Sequence, residues 1–217
     1  LNFDDSKWTK VNVPHNWDQY EGVRRLKHGN LHGYSWYRKT FDAKNEGEGK
    51  RYFLFFEGVG SYATVYLNNQ KVGSHAGGRT TFTLDVTDAI RFDQPNILAV
   101  QADHPPMISD LPWVCGGCSS EWGFSEGSQP MGIFRPVTLV VSNDVRIEPF
   151  GVHAWNDKPQ ITATDKTFSL NVDTEIKNYT NNQRKIEIIQ KLVNTENIQI
   201  KRVTDTIILK PNETRTI

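Results

Sequence analysis

Two short patterns in the chain could do chemistry, and each is tested by the partners its chemistry needs. Gly58-Val-Gly60-Ser-Tyr-Ala63 fits the G-x-G-x-x-A form that some proteins use to hold a dinucleotide, and Cys115-Gly-Gly-Cys118 spaces two thiols as redox and zinc sites do. The glycine pattern works only where a strand enters and a helix leaves, because the helix N-terminus supplies the N–H groups and partial positive charge that bind pyrophosphate. A strand-like run, Phe53 to Glu57, does enter. What leaves is Thr64-Val65-Tyr66-Leu67, β-branched and aromatic, followed at once by the turn residues Asn68-Asn69. No helix fits in that space. Asp85, at about the right separation for a ribose contact, lies in Thr81 to Val86, whose alternation is also that of a strand. The nucleotide reading is therefore rejected, no cofactor is expected, and Gly58 and Gly60 are read as letting the chain turn steeply between two strands.

The cysteine pair lacks partners too. A CxxC pair is redox-active when a helix N-terminus lowers the first thiol's pKa, and it is half of a zinc site when a second ligand pair exists. The chain has only these two cysteines, and His104, in a Pro-rich segment, is a single candidate third ligand. A local disulfide or two free thiols rank first, metal second and redox catalysis third. Location is not read from the chain; an exported setting is preferred to the cytoplasm, and it would favour the disulfide. His15, His28, His32, His75 and His153 are scattered over turns and strand ends, so no Ser-His-Asp set is claimed. Asn178-Tyr-Thr and Asn212-Glu-Thr match the glycosylation sequon, which has meaning only in a glycosylating secretory pathway.

The pair sits in a long segment without a strand signal, His104 to Gly132, whose length inside a compact domain points to function or disorder. Trp113, Trp122 and Phe124 argue against disorder. Flat aromatic faces suit the apolar side of a sugar ring, and Trp adds an N–H donor. Each ring, taken singly, is better explained by pinning the loop onto the sandwich or the missing barrel; as a group the loop is the candidate for shaping substrate access. Its glutamates, Glu121 and Glu126, stand beside Ser and Gly with nothing to bury one and keep the other ionised.

The elements that must position these residues are strands. Candidates run over 35–41, 51–57, 64–67, 71–75, 81–85, 96–103 and 137–141, separated by Gly, Asn, Asp and Pro clusters. Many short strands with such punctuation indicate an all-β fold, an antiparallel sandwich or jelly roll. In Arg51 to Glu57 both faces are apolar, which marks a central strand. After Val141 the texture changes. Ser142-Asn143-Asp144 is a short polar link, and longer alternating runs follow over 145–152, 168–177, 184–192 and 198–209. The reading is a jelly-roll domain over 1–143 followed by an immunoglobulin-like sandwich over 144–217. The second is expected to be partial, since such a sandwich usually takes about 100 residues.

Composition excludes other classes. With 217 residues, 37% of them hydrophobic, the chain is long enough to bury real cores. Lys plus Arg and Asp plus Glu both number 25, giving a formal net charge of zero, and no basic run tracks a phosphate backbone; no nucleic acid partner is expected. No apolar run reaches the roughly 18 residues that cross a bilayer, so no membrane partner is expected. Leu1 to Asp5 lacks the features of a signal peptide, and the abrupt start reads as that of a trimmed piece.

Taken in order, "WTKVNVPHNWD", "SWYRKTF", "LFFEGVGSYATVYLNNQKVGSHAGGRTTFTLDVT", "NILAVQAD" and "MGIFRPVTLVV" resemble the N-terminal sugar-binding domain of glycoside hydrolase family 2, the β-galactosidase and β-glucuronidase group. The resemblance covers roughly residues 8–141. It implies a jelly roll, an immunoglobulin-like sandwich and then a TIM barrel carrying two catalytic glutamates, the barrel being absent from these residues. It also implies that Asn16, from the P-x-N-W segment, and Asp103, at the end of a strand, reach the edge of the barrel's active site. A carboxylate accepts hydrogen bonds from vicinal hydroxyls and an amide both donates and accepts. Against this, Asn16 could cap the turn after Pro14 and Asp103 could be a strand-end residue. Many relatives continue from this Asp into Asn, whereas His104-Pro105-Pro106 follows here.

The expected substrate-binding residues are thus Asn16, Asp103, Trp113 and Trp122, with no catalytic residue and no metal. The expected partners are a carbohydrate substrate and the missing barrel, with self-association through an unpaired strand edge. The function implied is that of the noncatalytic front of a β-galactosidase-like retaining glycosidase; the alternative is an autonomous carbohydrate-binding module. Translating the reading frame past Ile217 separates them.

Overall fold

The computed structural model describes residues 3–17, 33–78, 80–104, 131–157 and 169–217. Among the described residues there is no helix, and the ordered elements are strands. The all-β expectation holds. The chain divides into two compact units, Leu1–Val141 and Ser142–Ile217.

In the first unit, β1 (Gly33–Phe41), β6 (Asn96–His104), β3 (Tyr62–Leu67) and β4 (Gln70–Ala76) form a four-stranded sheet in the order β1-β6-β3-β4, while β5 (Phe82–Asp85), β2 (Lys50–Phe56) and β7 (Val137–Asn143) form a second in the order β5-β2-β7. The doubly apolar run marked β2 as central, and it is flanked on both sides. Tyr52, Leu54 and Phe56 face the other sheet and meet Ala63, Val65 and Leu67 of β3 and Leu98, Val100 and Ala102 of β6 in one buried cluster. Phe53 is equally buried on the opposite side of β2. Strict alternation along β6, buried at Leu98, Val100 and Ala102 and half-buried at Ile97, Ala99, Gln101 and Asp103, assigns one of its faces to the core.

The turn residues act as their chemistry requires. Asn68 and Asn69 both hold positive φ, 53° and 72°, the two-residue geometry whose twist matches the strands of the β3–β4 hairpin. Asn68 does more than turn the chain: its amide donates to the Ala89 carbonyl and to Oδ1 of Asn96, each at 2.8 Å, and its own Oδ1 accepts from the Ile97 N–H at 2.9 Å. Asn96 Oδ1 also accepts from the Arg91 N–H, so two buried amides complete the backbone bonding where the β-ladder stops. At the other end of the core, Gly60 exchanges two backbone hydrogen bonds with Gly132, 3.0 and 3.2 Å, before the chain enters β3. The segment that a dinucleotide fingerprint would need as a helix is the strand β3.

The second unit has β8 (Val145–Trp155), β9 (Asn171–Asn178) and β12 (Thr214–Thr216) in a three-stranded sheet of order β12-β9-β8, with β10 (Arg184–Val193) and β11 (Gln199–Leu209) as a two-stranded ribbon. Its core is small: Ile176, Ile188 and Leu209 are buried, with Val145, Ile186, Ile207 and Ile217 packed against them. The polar loop between β9 and β10 is organised by buried Asn178, whose amide donates to the carbonyls of Asn182 and Lys210 at 2.8 Å each while its Oδ1 accepts from Thr180.

Candidate functional site

Asn16 and Asp103 come from segments far apart in sequence, and the fold brings those segments to one end of the first unit. Residues 15–17 run beside residues 131–133: the His15 N–H donates to the Ile133 carbonyl at 2.7 Å and the Trp17 N–H to that of Met131 at 3.3 Å. Between these bonds, Asn16 Oδ1 accepts from the Met131 N–H at 3.3 Å. The adjoining Gly132 pairs with Gly60, and the next residue, Ser61, donates its N–H to the Asp103 carbonyl at 2.9 Å. The Asn16 side-chain bond, the paired Gly60–Gly132 backbone and the Ser61–Asp103 backbone bond therefore connect the two residues.

Close packing fixes this junction. Gly132 has φ +83°, and a Cβ there would stand 2.7 Å from Cδ1 of Trp17 and collide with the Tyr37 hydroxyl. That hydroxyl is 2.9 Å from Nδ1 of His15, whose ring meets the Tyr37 ring edge-on at 5.7 Å. Burial is the first cause of Tyr37's raised pKa, so the phenol stays protonated and can donate. The indole N–H of Trp17 is buried without a hydrogen-bond partner.

Asp103 lies near the end of β6, between Tyr34 of β1 and Tyr62 of β3 in register. Its carboxyl is half-buried, and this desolvation raises its pKa. Its neighbour His104 points the opposite way, into the protein, where Nδ1 lies 3.1 Å from the buried Ser61 Oγ. The pair is enclosed: Ser61 is 3% exposed and His104 5%. It holds the strand end in place and offers no open nucleophile. His104, the candidate third metal ligand, is thus engaged inside the fold, and no cluster of metal-ligating side chains occurs among the described residues.

The structure links Asn16 to the same junction as Asp103. Trp113, Trp122, Cys115, Cys118, Glu121 and Glu126 lie outside the described residues. Sequence reasoning missed Trp17, Tyr37 and Ser61. Trp17 adjoins Asn16 and Ser61 stood in the rejected glycine pattern, but a strand-to-strand handoff between Ser61 and His104 carries no local signal.

Residues 20–110 match the glycosyl hydrolase 2 galactose-binding domain-like family. Over those residues the chain carries the galactose-binding-like domain of glycoside hydrolase family 2. Its relatives are consistent with this. The chain is 26% identical over 216 residues to a β-glucuronidase of Formosa agariphila, covering 90% of this chain and 21% of that enzyme. It is 32% identical over 200 residues to a β-galactosidase of Thermoanaerobacter pseudethanolicus, covering 88% of this chain and 24% of that enzyme. Among solved structures, the β-glucuronidase of Bacteroides uniformis superimposes with a TM-score of 0.79 at 26% identity, covering 100% of this chain and 24% of that one. The chain thus spans under a quarter of these relatives' length and corresponds to their N-terminal, noncatalytic part. The galactose-binding-like match includes Asp103 and β1 to β6, and Asn16 precedes it.

Proposed function

We propose that this chain is the front of a larger retaining β-glycosidase, in which the galactose-binding-like domain lends Asp103 and Asn16 to the rim of a sugar site completed by a catalytic barrel. The observation that carries the reading is the junction at 15–17, 60–61, 103–104 and 131–133, which holds a half-buried carboxylate at a strand end in a fold shared with β-glucuronidase over the whole chain. Asp103 accepts hydrogen bonds from vicinal hydroxyls of the sugar. Asn16, its Oδ1 bonded to Met131, presents its amide N–H groups to the same ring. Trp113 and Trp122 supply apolar walls to the substrate path. The second unit acts as an immunoglobulin-like spacer between this domain and the barrel, and the ribbon edges that no described strand meets pair with another copy. Relatives named for galactosides and for glucuronides both resemble the chain, so the proposal extends to β-glycosides as a class.

The chain alone is expected to hydrolyse no aryl β-glycoside, because retaining hydrolysis needs two carboxyl groups about 5 to 5.5 Å apart across the scissile bond. In the longer protein, Asp103→Ala should lower kcat/KM by the equivalent of about 1.5 to 3 kcal/mol, with unchanged melting temperature excluding misfolding. Turnover by the purified chain would overturn the reading, and an unaffected Asp103→Ala would remove the site assignment.

A further inference from the structure

A solvent-facing sheet surface is expected to be polar, and the outer face of β1-β6-β3 instead sets aromatic rings among its polar groups. Registered pairs place Arg38, Ala99 and Tyr66 in one row, Trp36, Gln101 and Thr64 in the next, and Tyr34, Asp103 and Tyr62 in the third. These residues alternate with the core positions of each strand and so share the outward side. Trp36 is 40% exposed and Tyr34 66%. The segment 3–8 borders the first row. Phe3 and Trp8 pack edge-to-face with ring centroids 5.4 Å apart, and Arg38 donates to the Phe3 carbonyl at 3.3 Å and pairs with Asp5. Together these side chains enclose a hollow of about 430 Å³, walled by Phe3, Trp8, Trp36 and Tyr66, with Arg38 and Asn69 as polar groups.

The geometry points to a second, noncatalytic carbohydrate subsite in this hollow, which takes one pyranose ring of a neutral β-linked oligosaccharide. The volume falls within the roughly 300 to 1,000 Å³ of small-ligand sites, in which apolar walls and a few polar groups are the usual combination. Trp36 and Tyr66 lie 5.9 Å apart and tilted by 38°, so their faces form an open trough rather than a closed stack. Such faces match the C–H side of a sugar ring, while Asn69 at the hairpin tip meets its hydroxyls. A neutral sugar is favoured because the Arg38 charge is already matched by Asp5. The subsite also aligns with the candidate site: Asp103 lies four steps along β6 from Ala99, about 13 Å at roughly 3.3 Å each, and Tyr34 and Tyr62 flank the Asp103 end. A glycan lying along the strand would pass from one to the other. This placement rests on the glycosidase reading above, whereas binding at the hollow can be measured without it.

The test titrates the 217-residue chain with β-1,4-galactotriose and, separately, with a glucuronate-terminated disaccharide, following indole fluorescence and heat. Galactotriose is expected to bind, to bind more tightly than the acidic sugar, and to lose about tenfold or more in affinity in Trp36→Ala and Tyr66→Ala. Trp36→Phe, which keeps an aromatic face, should retain most of the binding and covers the case in which Trp36→Ala unfolds. No binding, or binding indifferent to both ring deletions, would overturn the subsite; tighter Trp36-dependent binding of the glucuronate sugar would overturn its neutral assignment. Hydrolysis by the longer protein is scored separately. Binding without hydrolysis sinks the activity and leaves the subsite standing, and hydrolysis without Trp36-dependent binding does the reverse.

Discussion

Ser61 Oγ and His104 Nδ1 lie 3.1 Å apart inside the protein, where they join the start of β3 to the end of β6 directly beside Asp103. Because both groups are shielded from water, removing one leaves the other's polar atom to bear its desolvation. Ser61→Ala should cost about 1 to 3 kcal/mol in chemical denaturation. The Ser61 N–H bond to the Asp103 carbonyl belongs to the backbone and survives this substitution, so the loss reports the Ser61–His104 contact alone. A variant as stable as the wild type would show that the pair fixes nothing.

Asp103 itself gives a pH prediction with a definite sign. Burial raises its pKa above 3.8, so the folded chain binds this proton more tightly than the unfolded chain does. Stability associated with the neutral carboxyl is present below the unfolded value and is lost as pH climbs through the folded one. Asp103→Asn has no proton to lose. Its melting temperature relative to the wild type should therefore rise as pH climbs from below the ordinary value of 3.8 through the raised value of the folded chain. A flat or falling difference would mean that the carboxylate is stabilised by a partner rather than desolvated.

The central position of β2 predicts large core penalties. Leu54 is 3% exposed and Phe56 is fully buried, the latter stacked on Phe82 at 4.7 Å with 3° between the rings. Truncating either to Ala should cost about 2 to 5 kcal/mol, through lost burial and the cavity left behind. Melting shifts no larger than those of Lys44→Ala, a residue with an exposed ammonium, would contradict the packing.

How much of this was readable beforehand follows from which signals are local. The alternation along 96–103 and the doubly apolar run at 51–57 located β6 and β2, because side-chain direction in a strand is set residue by residue. Asn68-Asn69 announced its hairpin for the same reason. β12, three residues long, is defined only by its pairing with β9 and has no pattern of its own. At the site, Asp103 could be placed at a strand end, but its junction with Asn16 runs through Gly132, Gly60 and Ser61, and nothing in a linear reading pairs those positions. The hollow beside Trp36 was missed for a related cause: Trp36 and Tyr66 each look like core residues until register shows them on the outer side.

The ribbon of the second unit leads to the final prediction. β10 pairs with β11 and with no other strand among the described residues, so each has one edge whose backbone N–H and C=O groups no described strand meets. Ile189, Val193, Ile198, Ile200 and Val203 remain exposed along it, and the buried cluster beneath holds only Ile176, Ile188 and Leu209. Free edges with apolar neighbours are templates for pairing with another chain, whereas a lysine on the edge discourages it. Purified chain should associate with rising concentration in sedimentation equilibrium, and Ile200→Lys should shift it toward monomer without lowering the stability of the first unit. Hydrogen exchange adds an independent readout: amides on the outer side of β11 should gain protection as concentration increases. A monomer at every concentration, with those amides already protected when dilute, would show that the ribbon edge is covered from within the chain.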